Sequence, residues 1–262
     1  MPSLRSPSIS VVIPAYNAAK TLERTLQSAV DSVEQARSVL PDLIAEIAVV
    51  DDVSTDNTRK IINLWAEQNP DIKLVTYSEN RGPGSARNEG VRQTTGAYLF
   101  FLDSDDVFYP NHVSVCLEHL LERDDLGYVF TKMHIDMAMH EQWRRSLDES
   151  NPINFCVRRV WHDMILGFAE EPDFRTYRSE DTLYRMCLRD VAAHEKIEVE
   201  TCEQFVSPGN ALDRQREKLL MSMGEWNAKV KEEGAEDGFV MTDDMARVVE
   251  ARLAHVRKIM GG

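Results

Sequence analysis

Four short stretches of this chain hold the residue types that could do chemistry. The sharpest is Asp103-Ser104-Asp105-Asp106, which follows the apolar run Ala97 to Leu102. Carboxylate oxygens are the ligands that hard divalent cations prefer, and Mg²⁺ or Mn²⁺ sites commonly combine few protein carboxylates with substrate phosphates. A cation bridging two phosphates would neutralise the charge that develops on a diphosphate leaving group. The same four residues also suit an acidic turn that binds nothing. Asp51-Asp52 closes a second apolar run, Glu46 to Val50. A carboxylate there could accept the N–H of a base or a ribose hydroxyl, or simply form an Asx-turn before the next helix.

The segment Asn80 to Asn88 combines Gly82-Pro83-Gly84 with Arg81 and Arg87. A helix N-terminus and guanidinium groups both suit a diphosphate, although solvated arginines on a surface loop fit the pattern too. Its spacing is not the GxGxxG dinucleotide fingerprint. Glu180-Asp181 opens an amphipathic stretch that runs to Leu188. A carboxylate that reaches a substrate cleft could deprotonate an acceptor hydroxyl, while acidic residues at a helix start also complement the helix dipole with no further role. The histidines are scattered, and no Ser/His/Asp arrangement can be argued from their spacing.

Strand and helix signals alternate through the elements that must carry these groups. Ile9 to Ile13 is β-branched and ends at Pro14, and Ala18 to Ala36 has apolar residues at helical spacing. Glu46 to Val50 predicts a strand, Thr58 to Gln68 a helix stopped by Pro70, Lys73 to Tyr77 a strand and Ser85 to Thr94 a short helix. Ala97 to Leu102 predicts a fourth strand. Such alternation implies a mostly parallel sheet flanked by helices, with ligands at the carboxyl ends of the strands. Pro14 to Asn17, Asp51-Asp52 and Asp103 to Asp105 should therefore converge on one crevice.

The second half is less regular. Tyr128 to Met137 reads as a strand and Ile153 to Val160 as a strand or buried connection. From Asp213 the chain looks helical and charged, with Thr242 as an N-cap and a stripe of Met245, Val248, Val249, Val256 and Ile259. That helical extension could cover an acceptor cleft, pair two subunits or rest on a membrane; packing on the body of the domain is its simplest use. The expected division is residues 1–110 for the donor half, 111–212 for the acceptor half of the same domain, and 213–262 for the extension.

Composition narrows the function classes. The 262 residues hold 44 Asp and Glu against 30 Lys and Arg, a formal charge of −14. Such a surface repels phosphate backbones, which argues against nucleic acid as a partner. Cys116, Cys156, Cys187 and Cys202 form no CxxC pair, so free buried thiols in a reducing, cytoplasmic setting are expected. The opening Met1 to Ser10 lacks the apolar core of a signal peptide, and no apolar run is long enough to span a bilayer. Peripheral contact with a membrane face stays open.

Together the motifs resemble the family 2 inverting glycosyltransferases, which have the GT-A fold, a Rossmann-like α/β sheet. The matching text is Ser10-Val-Val-Ile-Pro-Ala-Tyr-Asn17, Ala48-Val-Val-Asp-Asp-Val-Ser-Thr-Asp-Asn-Thr58, Asn80-Arg-Gly-Pro-Gly-Ser-Ala-Arg-Asn-Glu-Gly90 and Phe101-Leu-Asp-Ser-Asp-Asp-Val-Phe-Tyr-Pro110. A looser match continues through Gly167-Phe168 and Glu180-Asp181 to Pro208-Gly-Asn-Ala-Leu212. The resemblance implies a nucleotide-sugar donor, a UDP-sugar, a Mn²⁺ or Mg²⁺ cofactor and a glycan or glycolipid acceptor. Pro14, Ala15 and Tyr16 would line the base pocket, Asp52 would accept the uracil N–H and Asp51 would support that turn. Arg87 would lie near the base or diphosphate, Asp103 would face the ribose and metal waters, Asp105 would bind the metal, and Ser104 would be among the nucleotide-binding residues. Asp181 would be the general base and Glu180 would orient the acceptor. Departures are Ala18 and Ala19 after the first motif, Val53 in place of a common glycine, a long Ser32 to Leu43 stretch, and Ser179 before Glu180-Asp181. Two rivals are a sugar-phosphate nucleotidyltransferase, disfavoured because Pro14 to Asn17 is not a basic glycine-rich loop, and a non-catalytic nucleotide-sugar-binding subunit.

Overall fold

The computed structural model describes residues 6–177, 179–207, 210–233 and 242–261. Residues 1–5, together with Pro208 and Gly209 of the looser match, lie outside them. The chain runs β1 (Ser8–Ala15), α1 (Leu22–Val39), β2 (Ile44–Asp51), α2 (Thr58–Gln68), β3 (Ile72–Thr76), α3 (Pro83–Arg92), β4 (Tyr98–Phe101), β5 (Val107–Phe108) and α4 (His112–Glu122). It continues with β6 (Tyr128–His134), α5 (Glu141–Ser150), a 3-10 turn, β7 (Phe155–Arg158), α6 (Arg159–Met164), α7 (Pro172–Tyr177), α8 (Glu180–Val191) and β8 (His194–Glu203). Last come α9 (Ala211–Arg214), α10 (Arg216–Leu220), α11 (Met223–Glu233) and α12 (Asp243–Ile259).

One sheet orders its strands β3-β2-β1-β4-β7-β6-β8-β5. Its first half is parallel throughout, as the alternating pattern requires. The second half is mixed, because β7 lies antiparallel between β4 and β6 while β8 runs parallel to β6. Side chains alternate between the two faces at the strand period of two. Ile9, Val11 and Ile13 enter one core with Leu22, Leu26 and Val33 of α1, whereas Val12 enters the other with Leu99, Phe101, Tyr184 and Leu188. The long Ser32 to Leu43 stretch is an extension of α1, which reaches Val39.

The C-terminal helix uses its apolar stripe inside the molecule. Met245 and Val256 are buried, and Val248, Val249 and Leu253 pack on the core that holds Phe168 and Leu188. Thr242 caps it as expected: its hydroxyl accepts from Met245 N–H at 3.1 Å and donates to Asp173 at 2.7 Å. Ile259 is the exception in the expected stripe, since it is 54% exposed. All four cysteines are free and buried. No helix among the described residues is long and apolar enough to cross a membrane.

The register brings the strand ends together. Ala15 pairs with Asp51 and Val12 with Phe101, Asp52 N–H donates to Ala15 C=O at 2.8 Å, and Leu102 N–H donates to Val12 C=O at 3.0 Å. The three polar clusters therefore open on one crevice.

Candidate active site

That crevice is a cleft of about 1070 Å³, lined on one side by Pro14, Ala15, Tyr16, Asp52, Arg87, Asp103, Ser104 and Asp105. Glu180 and Asp181 line it as well. Pro14 and Ala15 are buried in its floor, while Tyr16 is 54% exposed and presents its ring at the cleft.

The two aspartates that close β2 do different things. Asp51 is fully buried, and its oxygens accept from Arg59 Nε at 2.8 Å and Ser54 N–H at 3.0 Å. It holds the turn, the supporting place expected for it, and does not itself line the cleft. Asp52 does line the cleft, and it is tied to the next loop. Its Oδ1 accepts from Arg81 N–H at 2.7 Å and its Oδ2 from Gly82 N–H at 2.8 Å, while Asn80 Nδ2 donates to its carbonyl at 2.9 Å. The Tyr77 hydroxyl lies against the same carboxylate, whose two oxygens together offer about four acceptor directions and so retain room for a ligand N–H. Between the two acids and Ser54, Val53 takes φ 64°, the left-handed region that its β-branched side chain disfavours. The turn is over-determined from both sides: Thr55 N–H donates to Asn17 Oδ1 at 2.8 Å and Asn17 N–H to Ser54 Oγ at 3.0 Å. Asp56 is structural, accepting from Thr58 N–H at 2.9 Å at the start of α2 and from Ala19 N–H at 3.1 Å.

Arg87 is the central cation. It is 4% exposed, donates from Nη2 to Asp103 Oδ1 at 2.6 Å and from Nη1 to Glu180 Oε1 at 3.4 Å, and sits 5.1 Å from the Phe168 ring centroid. Gly84, one turn earlier on α3, makes the close approach of α3 to α8 feasible. A Cβ there would lie 2.8 Å from Ala169 C=O and 3.0 Å from Glu180 Cγ. Burial works against the guanidinium charge, but Asp103, Glu180 and Asp181 together hold its pKa above the usual arginine value. One cation thus faces three acids. Burial, followed by the charge of Glu180, pushes Asp181 up to about 7, against the pull of Arg87. A carboxyl poised there can exist as a base near neutral pH and take a proton from a hydroxyl.

The backbone of Asp103 to Asp106 is pinned to α1, which fixes where the acids point. Thr21 Oγ1 donates to Ser104 C=O, Arg24 to Asp105 C=O and Thr25 Oγ1 to Asp106 C=O, at 2.8, 2.7 and 2.8 Å. Asp106 turns inward, is 2% exposed and accepts from Phe205 N–H at 2.9 Å. Asp105 turns to the cleft, its carboxyl raised by burial and by Asp103. These oxygens suit a hard divalent cation: Asp103 is already paired with Arg87, which leaves Asp105 as the carboxylate with donor capacity to spare. No cluster of three His, Cys, Asp or Glu among the described residues could hold a metal alone. A cation here would complete its shell with water and phosphate oxygens, as Mg²⁺ and Mn²⁺ do in phosphate-binding sites.

The far wall of the cleft was not anticipated from sequence. It is formed by α5, α8, α9 and α10 and includes Trp143, Arg185, Arg214 and Lys218. The cleft lining thus crosses residue 212, the expected edge of the acceptor half. Arg185 had a readable signal, since it lies four residues after Asp181 and so on the same helical face. Trp143 and Lys218 had none, because only the tertiary packing of short helices brings them to the cleft.

Comparison with known proteins agrees with this architecture. The chain is 35% identical over 180 residues to the putative teichuronic acid biosynthesis glycosyltransferase TuaG of Bacillus subtilis, covering 65% of this chain and 68% of that protein. It is 35% identical over 127 residues to the chondroitin synthase of Escherichia coli, covering 48% of this chain but 17% of that much longer enzyme. The chain therefore spans under a fifth of the chondroitin and hyaluronan synthases it matches. Among solved structures, S. aureus TarS 1-349 in complex with UDP-GlcNAc superposes with a TM-score of 0.66 at 20% identity, over 95% of this chain and 71% of that one. The mannosyltransferase PcManGT from Pyrobaculum calidifontis, in complex with GDP-Man and Mn²⁺, gives 0.63 at 18% identity over 99% and 77%. At such identities the superpositions establish a shared fold, the expected GT-A architecture. The model of glycosyl transferase family 2 matches residues 10–196, the span that carries Asp51, Asp52, Asp103, Asp105 and Asp181, and the chain belongs to that family.

Proposed function

We propose that this chain is an inverting glycosyltransferase that moves a sugar from a UDP-sugar to an acceptor hydroxyl in the synthesis of a polysaccharide or glycoconjugate. The observation that carries the reading is the placement of Asp181 on the same cleft as Asp52, Asp103 and Asp105, next to Glu180, which Arg87 joins to Asp103. Asp181 accepts the proton of the acceptor hydroxyl as its oxygen bonds to the anomeric carbon. The bond from that carbon to the diphosphate oxygen breaks on the opposite face, and the nucleoside diphosphate leaves with the electron pair. A single displacement of this kind inverts the anomeric centre. A well-placed base contributes about 10²–10⁴-fold.

On the donor side, Asp52 and Tyr16 receive the base, with Pro14 and Ala15 beneath it. A divalent cation, held by Asp105 and reached by Asp103 through water, would supply charge neutralisation to the diphosphate. The choice of UDP is supported by the carboxylate of Asp52, an acceptor suited to a base N–H, and by the UDP-GlcNAc that TarS binds; GDP-Man in PcManGT keeps GDP as the control.

Calorimetric titration with UDP and with GDP, with and without Mn²⁺, tests the reading. Mn²⁺-dependent UDP binding is the expected result. A preference for GDP would overturn the base-binding role of Asp52 while leaving the reaction class. Absence of binding to either nucleotide would overturn the function.

A further inference from the structure

The far wall of the cleft is cationic in a protein whose formal charge is −14. Arg185 projects from α8 one turn beyond Asp181, and Arg214 from α9 and Lys218 from α10 line the same cavity. The wall is built and braced. Trp143 Nε1 donates to Met221 C=O at 2.8 Å, His140 N–H to Leu219 C=O at 2.7 Å, and Lys218 Nζ lies 4.7 Å from the centroid of the Trp143 ring.

Arg185 is the informative member. Its side chain is 20% exposed, and its buried Nε has no hydrogen-bond partner among the described residues. Its nearest acid, Glu149, stands 3.9 Å from Nη1, too far for a hydrogen bond. Glu180, already engaged by Arg87, and Asp181 line the same cleft, and the Tyr128 phenol lies within the reach of its charge. Arg87 also leaves its Nε unbonded among the described residues, but its two terminal nitrogens donate to Asp103 and Glu180, whereas no such hydrogen bond to an acid is made by Arg185, and an unmade buried hydrogen bond is costly. A guanidinium kept this way, beside the catalytic base and away from the strand ends that receive the nucleotide, is placed to meet an anion on the acceptor. Guanidinium forks match carboxylate and phosphate oxygens in pairs.

We propose that this wall is an acceptor subsite for an acidic saccharide, a sugar carrying a carboxylate or a phosphate, with Arg185 as its charge-reading residue and Arg214 and Lys218 extending the positive field. The inference rests on the transferase reading and narrows its acceptor class.

The test is a saturation-transfer NMR titration of the full chain with methyl β-glucuronide, methyl β-glucoside and methyl β-glucoside 6-phosphate, with and without UDP and Mn²⁺. The charged sugars should bind about tenfold more tightly than the neutral one, a difference that Arg185→Gln should cut to about twofold or less. Arg185→Gln should leave UDP affinity unchanged, which shows that the variant is folded. The double variant Arg214→Gln/Lys218→Gln should weaken the preference and make what remains less sensitive to salt. Stronger binding of the glucuronide assigns the charge to a uronic acid, and stronger binding of the phosphate to a phosphorylated sugar; either supports the subsite. Equal affinity for charged and neutral sugars in a protein that binds UDP overturns this inference alone. A charge preference that persists in a protein that binds no UDP supports the subsite and overturns the transferase reading.

Discussion

The Arg87 guanidinium lies 2.6 Å from Asp103 and 3.4 Å from Glu180, so one buried cation joins the end of β4 to the start of α8, 93 positions away from Arg87. Removing it would leave Asp103, Glu180 and Asp181 facing one another without compensation. Breaking a buried pair by deleting one partner costs about 3–5 kcal/mol. Arg87→Met should therefore lower the melting temperature by roughly 6–20 °C at about 2–4 °C per kcal/mol, and abolish transfer. Arg87→Lys, which keeps charge but not the two-pronged geometry, should recover part of the stability. A melting curve for Arg87→Met that overlays the wild type would show that the three acids do not depend on this cation.

The acid cluster also sets a pH dependence. Asp181 must be ionised to accept a proton, and burial with the neighbouring Glu180 pushes it up to about 7. The value of kcat/KM should fall as the pH drops below that, with a limb near 7 in the free enzyme. Stability runs the other way. A carboxyl whose folded pKa lies above its unfolded value contributes most while protonated, below about pH 4, and that contribution is lost as the pH rises through about 7. Asp181→Asn mimics the protonated state, so it should melt higher than the wild type at pH 8, match it near pH 4, and lose transfer while keeping UDP affinity. Wild-type turnover in Asp181→Asn would remove Asp181 from the chemistry.

How much of this was legible depended on burial. Strands β1, β2 and β4 are covered on both faces and read as apolar runs ended by proline or aspartate, so their polar ends, and the crevice between them, followed from the pattern. By contrast, β8 has three consecutive exposed residues, Glu198 to Glu200, and is rich in glutamate, and it lies one strand in from the sheet edge beside the two-residue β5. Helix α5 buries only Asp148, and α9 and α10 are too short to show a stripe. Their arrangement, and with it the far wall of the cleft, is decided by tertiary contacts. The work of Asp52 was hidden for a related reason: its partners Arg81 and Gly82 stand 29 and 30 residues further on.

Val53 carries local strain that a glycine would relieve. At φ 64° a β-branched side chain costs about 1–2 kcal/mol relative to the right-handed region, and glycine does not pay that penalty. The side chain is only half-buried, so little packing is lost on removing it. Val53→Gly should stabilise the protein by about 1 kcal/mol after the added unfolded-state entropy is counted, visible as a rise of roughly 2–4 °C in the melting temperature. A fall of that size would mean that the Val53 side chain contributes more through its contacts than its backbone loses.

The C-terminal helix reaches the site through Arg252. This residue, 7% exposed, donates from Nη1 to the carbonyls of Ile165, Leu166 and Gly167 at 3.2, 3.4 and 2.5 Å, and from Nη2 to that of Phe168 at 3.3 Å. The segment it holds includes two left-handed residues, Leu166 and Gly167, both at φ 65°. Its next residue, Phe168, exchanges hydrogen bonds with Asn88 and stacks on Tyr184 at 4.0 Å beneath Arg87. Arg252 is thus a positioning residue for the shelf on which Arg87 rests. Arg252→Met should cost about 2–4 kcal/mol, because several buried carbonyls lose their donor together. Since Asp52 and Tyr16 lie on other elements, UDP affinity should change little while kcat falls, and amide exchange should quicken across residues 165–168. Lost UDP affinity with unchanged exchange in that segment would place the effect of Arg252 somewhere other than this shelf.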